Sequence, residues 1–183
     1  MTLEEELAAA RTAAGEHAED GQQIIGVVPA EPGDGERVYL CAYRQGEERS
    51  WLALDRDWNP VADRALVRRA VSIAAMCELA EESAGGGDVA LLRSRLAELR
   101  LAENPEGIDE AEAAAADLEA AILPEPRVAS VAYLDALGVA AARLEHALGE
   151  VGGSPFAEAM KSGVAAAEEL ATDVVRAYKR PLD

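Results

Sequence analysis

The spacing of apolar residues changes twice along this chain, and that change most limits what it can fold into. Residues 3–17 have a helical period, residues 23–55 alternate as strands do, and everything past residue 63 is helical again. Three segments, 23–28, 37–44 and 50–55, read as strands because each is rich in Val, Ile, Tyr, Trp or Leu. The links between them carry Gly33-Asp34-Gly35 and Gly46, residue types that let consecutive strands fold back on one another. The expected class is α+β and predominantly helical. A small three-stranded antiparallel meander packs with an N-terminal helix, and about five further helices follow. Val38, Leu40 and Ala42 alternate with Tyr39, Cys41 and Tyr43. Both sets are apolar, so both faces of the sheet are expected to meet other structure.

Start and stop signals place the helices. Thr2 and Glu5 form a capping-box pattern ahead of the helix at 3–17, whose apolar stripe is Leu3, Leu7, Ala10 and Ala14. Asp57-Trp58-Asn59-Pro60 is a turn, and Asp63 is an N-cap for a helix over 64–83 with Leu66, Ala70, Ile73, Cys77 and Ala80 on one face. Gly85-Gly86-Gly87 breaks the chain, and Asp88 caps a helix running to about residue 102 through Leu92, Leu96 and Leu99. Ala111, Ala115, Leu118 and Ile122 form the inner face of a helix at 109–123, and a longer helix covers 128–148. Ser154 and Pro155 open the last helix, which carries the seam Phe156, Met160, Val164, Ala167, Ala171, Val174 and Tyr178 down to Pro181. The triple glycine suggests units at 1–84 and 85–183, or one continuous domain. Alanine-rich seams bury little, at about 0.8 kcal/mol per CH₂. A helical layer of this kind is expected to complete its core in a second copy, as a homodimer.

Charge narrows the functional classes. Lys plus Arg number 17 against 35 Asp plus Glu, a formal net charge of -18, so a phosphate-neutralising face is not expected and neither nucleic acid nor an anionic membrane is a natural partner. Half of the residues are apolar, which excludes a disordered acidic chain. No stretch reaches the length of a membrane span, and the N-terminus is acidic where a signal peptide is basic, so a cytoplasmic protein is expected. Lys161 and Lys179 are the only lysines, which fits either the codon bias of a GC-rich genome or adaptation to salt. The acid gathers in residues 1–20, six acids against Arg11, and in residues 108–127, six against Arg127. A protein partner with a basic surface would meet those two helices.

The residues that could carry chemistry are few. Asp55, Asp57, Asn59 and Asp63 sit at positions one, three, five and nine of a calcium-loop pattern, and magnesium would suit them as well. The pattern has Pro60 where the loop needs Gly and Leu66 where it needs a closing Glu. A strand end, a turn and a helix cap account for the same four residues. Arg64 and Arg68 share a helix face where an anionic ligand or acidic peptide could dock. Trp58, between Asp57 and Asn59, is a candidate contact residue. No catalytic constellation is expected, because His17 and His146 lack motif partners and no Gly-x-Ser-x-Gly occurs. No glycine run is followed by the Lys-Ser or Lys-Thr of a phosphate loop, so no cofactor is expected either. Cys41 and Cys77 read as small buried hydrophobes.

The run of strand, turn and long helix over residues 50–82 resembles the general shape of small α+β dimeric chaperones. The expected function is a non-enzymatic protein-interaction homodimer, adaptor-like or chaperone-like. The alternative is a small-molecule or divalent-metal binding domain, with enzyme activity left open, built on the sheet and the turn at residues 55–63.

Overall fold

The computed structural model describes residues 1–33, 35–84, 89–122, 126–151 and 155–179. Six helices and four strands make up the described chain: α1 (Leu3–Glu16), β1 (Gln23–Glu31), β2 (Val38–Gln45), β3 (Glu48–Leu54), α2 (Arg64–Ser83), α3 (Val89–Ala102), α4 (Ile108–Ile122), β4 (Ala129–Ser130), α5 (Val131–Val151) and α6 (Pro155–Lys179). The α+β, mainly helical class stands, with one correction to the sheet. It has four strands in the order β3-β2-β1-β4, and β4 runs parallel to β1 through Ala30 opposite Ala129 and Glu31 opposite Ser130. Two residues make too short a strand to leave a period of their own, so the apolar pattern at 128–130 merges with the helix that follows. Two compact units share the chain, Met1–Ala75 with Glu125–Val131, and Met76–Pro124 with Ala132–Asp183. The division falls inside α2, while Gly85–Gly87, the caps Asp88 and Ser154, and Pro181 lie outside the described residues.

In the first unit, α1 lies on one face of the sheet. Its Thr2 hydroxyl accepts from the Glu5 N–H and the Glu5 carboxylate accepts from the Thr2 N–H, so the capping box closes in full. Ala10 and Ala14 are buried against Tyr39, Cys41, Tyr43 and Leu54. The Tyr43 hydroxyl donates to the Ala14 carbonyl at 2.8 Å, fixing the C-terminal end of α1 to β2. On the opposite face Val38, Leu40, Ala42 and Ala53 are also buried, so both faces of β2 are covered.

β1 continues past Val28 through Pro29 to Glu31. Pro29 faces Tyr39 at a position where the alternation of the antiparallel ladder turns the β1 nitrogen away from β2, so no ladder hydrogen bond is lost. Gly46, with φ of 61°, is the first of two residues in the hairpin between β2 and β3, where a type II′ turn calls for a positive φ.

The second unit is helical. Val89, Leu92 and Leu96 of α3 are buried, as are Ile108, Ala111, Ala114, Ala115, Leu118 and Ile122 of α4. On α5 the buried row is Leu134, Leu137, Gly138, Ala141, Leu144, Ala147, Leu148 and Val151, which continues the expected helix by one turn. Along α6, Val164, Ala167, Ala171 and Val175 are buried, while the side chains of Phe156, Met160, Val174 and Tyr178 lie outside the described residues. Small residues set the helix spacing here. A Cβ added to Gly138 would lie 2.9 Å from the Ala171 Cβ, so α5 and α6 meet at a point that admits no further methyl group.

The acid of α4 is handled within the chain. Arg100 bridges Asp109 and Glu112, Arg143 bridges Glu110 and Asp117, and Arg93 pairs with Glu119. Every acidic residue of α4 therefore has a guanidinium neighbour from α3 or α5. Single surface pairs of this kind contribute about 0–1 kcal/mol, so their main effect is to reduce the field that a charged partner would meet.

Candidate functional site

The turn after β3 is held by one carboxylate. Asp55 Oδ1 accepts from the backbone N–H groups of Asp57 at 2.9 Å and Asn59 at 2.8 Å, while the Asp55 N–H donates to the Asn59 carbonyl at 2.9 Å. Asp63 Oδ1 accepts from Ala65 at 2.8 Å and Leu66 at 3.3 Å, as an N-cap does. Asp57 and Asn59 are exposed. These contacts are what a turn and a cap require, and among the described residues no three His, Cys, Asp or Glu side chains are grouped as metal ligands. Removing the Asp55 carboxylate by Asp55→Ala is expected to lower stability by about 1–2 kcal/mol, because two charge-assisted bonds go with it. Urea denaturation measures this, and an unchanged midpoint would count against the role assigned to Asp55.

Trp58 occupies the left-handed region at φ of 65°, an unusual conformation for a bulky side chain. The turn hydrogen bonds over-determine it, and the result is that Trp58 folds back from a polar turn onto the sheet. Its ring centroid lies 5.1 Å from that of Tyr39, tilted by 50°. Trp58 is half-buried beside the core formed by α1 and β2.

Around Tyr39 the polar groups form a chain. The Tyr39 hydroxyl donates to Glu6 Oε2 at 2.7 Å, and Arg37 donates to the same oxygen at 2.6 Å. Arg37 also grips Glu31 Oε1 through Nε at 2.9 Å and an Nη at 2.7 Å, and Arg56 stands 3.7 Å from that oxygen. The Tyr39 hydroxyl and then the Arg37 guanidinium hold the Glu6 carboxyl below the usual range. Burial first, and then the Glu6 carboxylate, push the Tyr39 phenol up to about 12. Burial alone raises the Cys41 thiol to about 11, which keeps it protonated and unreactive. The Glu6, Arg37 and Tyr39 cluster was not visible in the sequence, since Glu6 lies more than 30 residues from the other two and no motif joins them.

Arg64 and Arg68 are exposed, and the Arg68 Nε donates to the Arg64 carbonyl at 3.3 Å. The structure thus brings Trp58 to the Tyr39 cluster and uses Asp55 and Asp63 in backbone capping, while the two arginines lie along one turn of α2. Two further features lie apart from these residues. In the helical unit, Glu145, His146, Gly149 and Glu150 of α5 line an open cleft of about 330 Å³ with Lys161 of α6. In the sheet unit, β3 is an edge strand, and Trp51 on it is 61% exposed.

No family model, no curated protein and no solved structure matches this chain. No helix among the described residues is long and apolar enough to cross a membrane.

Proposed function

We propose that the chain is a non-enzymatic protein-interaction module that works as a cytoplasmic homodimer, with an adaptor-like or chaperone-like role. The observation that carries this reading is the apolar surface at the open end of the sheet. Trp51 of β3 is 61% exposed and shares a sheet face with Val28, two strands away on β1 and 39% exposed, while Ile25, at the register shift of β1, is 46% exposed. A large exposed aromatic on a sheet that also exposes aliphatic side chains is the composition of an interface rather than of a solvated strand. A basic partner would meet α1 and the turn after it, where Glu4, Glu16, Glu19 and Asp20 are exposed, because the acids of α4 already have arginines beside them.

Light scattering across a concentration series tests the assembly. A mass of two chains at tens of micromolar is expected, and a monomer throughout would overturn it. The alternative reading, a divalent-metal or small-molecule domain on the 55–63 turn, has less support because Asp55 Oδ1 is occupied by two backbone donors. Addition of Ca²⁺ or Mg²⁺ is expected to leave the melting temperature unchanged, whereas a ligand at 100 times its dissociation constant would add about 2.7 kcal/mol.

A further inference from the structure

The outer edge of β3 is open over a short, defined window. The ladder with β2 turns the N–H and C=O groups of Ser50 and Leu52 inward, and those of Arg49, Trp51 and Ala53 outward. The Ala53 carbonyl accepts from the Val61 N–H at 2.8 Å, and Leu54 bridges Pro60, so the segment after the turn covers that end of the edge. What stays uncovered is residues 48–51, all exposed, together with half-buried Leu52, and the outward backbone groups of Arg49 and Trp51 have no partner among the described residues. An unprotected edge of this kind is a template for another strand.

The geometry points to a second copy of this chain as the occupant, paired antiparallel through β3 with the two-fold axis at Ser50. This inference rests on the homodimer reading above and supplies its contact. Three registers can be compared. Centring on Arg49 sets two guanidiniums directly opposite one another, which is unfavourable. Centring on Trp51 calls on the Ala53 carbonyl, which already holds Val61. Centring on Ser50 makes Arg49 and Trp51 of the second copy a hydrogen-bonded pair, and the symmetric pair repeats it, so the open backbone groups of both Arg49 and Trp51 are used. In that register each guanidinium stands across from an indole on the same sheet face, within reach of a cation–π contact. Charge is permissive as well. The chain carries -18, yet the hairpin end holds Arg44 and Arg49 against Glu47 and Glu48, so two copies approach there with little local repulsion. Five residues per strand make a small contact, and the dimer is expected to dissociate in the micromolar range.

Ser50→Cys tests the axis. Opposed non-hydrogen-bonded positions bring Cα atoms to about 4.5 Å, within disulfide range, so this variant is expected to cross-link under oxidised glutathione about tenfold faster than Glu48→Cys, which faces Leu52 of the second copy. The native Cys41 and Cys77 are buried and do not compete. Arg49→Pro removes an outward N–H without touching the ladder to β2, and is expected to raise the dimer dissociation constant about tenfold or more with the circular dichroism spectrum unchanged. Trp51→Ala, read by sedimentation, is expected to raise it by a similar factor and serves if the proline variant fails to fold. Equal cross-linking rates in the two cysteine variants, or undiminished association in the folded edge variants, would overturn this contact while the homodimer stands. A chain that is monomeric throughout would remove both.

Discussion

Replacing Gly138 by valine is expected to destabilise the helical unit by about 3 kcal/mol, while alanine at the same position costs about 1 kcal/mol. On propensity alone both changes should help, since glycine inside a helix is roughly 1 kcal/mol worse than alanine. The contact decides otherwise. A Cβ at residue 138 falls 2.9 Å from the Cβ of Ala171, which is fully buried on α6 and belongs to a helix rather than to a flexible side-chain end. One helix must move to admit the extra methyl, and the packed rows Leu134, Leu137 and Ala141 on α5 and Val164 and Ala167 on α6 would move with it. A double-mutant cycle with Ala171→Gly isolates the effect. Gly138→Ala is expected to be less harmful in the Ala171→Gly background, because the methyl is then exchanged rather than added. Additive losses in urea denaturation would show that the approach of α5 and α6 is not set at this point.

What the sequence could show follows from how local each determinant is. The α1 cap is complete within residues 2–5, and both of its hydrogen bonds form as the pattern implies. The inner face of α4 is set by its own period, and Ala111, Ala115, Leu118 and Ile122 are all buried. Strand β4 is different. Its two residues are strand only because β1 lies beside them, about 100 positions earlier in the chain, and its parallel pairing has no turn chemistry to announce it. Pro29 shows the opposite limitation. It reads as a strand end, yet β1 continues because the ladder does not need that nitrogen.

The candidate site divides in the same way. The residues of the 55–63 turn were legible as turn and cap, and the hydrogen bonds to Asp55 and Asp63 have that form. The path of Trp58 was not legible, because it depends on a left-handed backbone at a residue that seldom adopts one. Pairing of the α4 acids could not be read either. Arg93, Arg100 and Arg143 reach them from other helices, so a run that looks like an unbalanced acidic face is matched only in three dimensions.

The largest loss expected in the sheet unit is from Tyr39→Ala, about 3–5 kcal/mol, since this single side chain serves three functions. Tyr39 is 1% exposed in the core shared with Ala10, Ala14 and Leu54, its ring centroid lies 5.1 Å from that of Trp58, and its hydroxyl donates to Glu6. Tyr39→Phe keeps the first two and removes the third, so about 1–2 kcal/mol is expected from it. The two variants differ in how pH acts on them. Because the folded-state pKa of Glu6 is lowered from 4.5, its ionised form stabilises the fold above that value, and the contribution is lost as pH falls through the folded pKa. The stability gap between the parent chain and Glu6→Gln should therefore be full at neutral pH and close in acid. Tyr39 acts in the opposite sense. Its raised pKa means stability that is complete below pH 10 and lost as pH rises through about 12. Tyr39→Phe removes that alkaline loss while also shrinking the acid-side slope. Thermal melts of the parent, Glu6→Gln and Tyr39→Phe from pH 3 to about 12 measure both arms. A gap that stays constant with pH would mean that the Glu6, Arg37 and Tyr39 contacts do not couple to folding. A Tyr39→Ala chain that melts no lower than Tyr39→Phe would mean that the ring is not what holds α1 and Trp58 to the sheet.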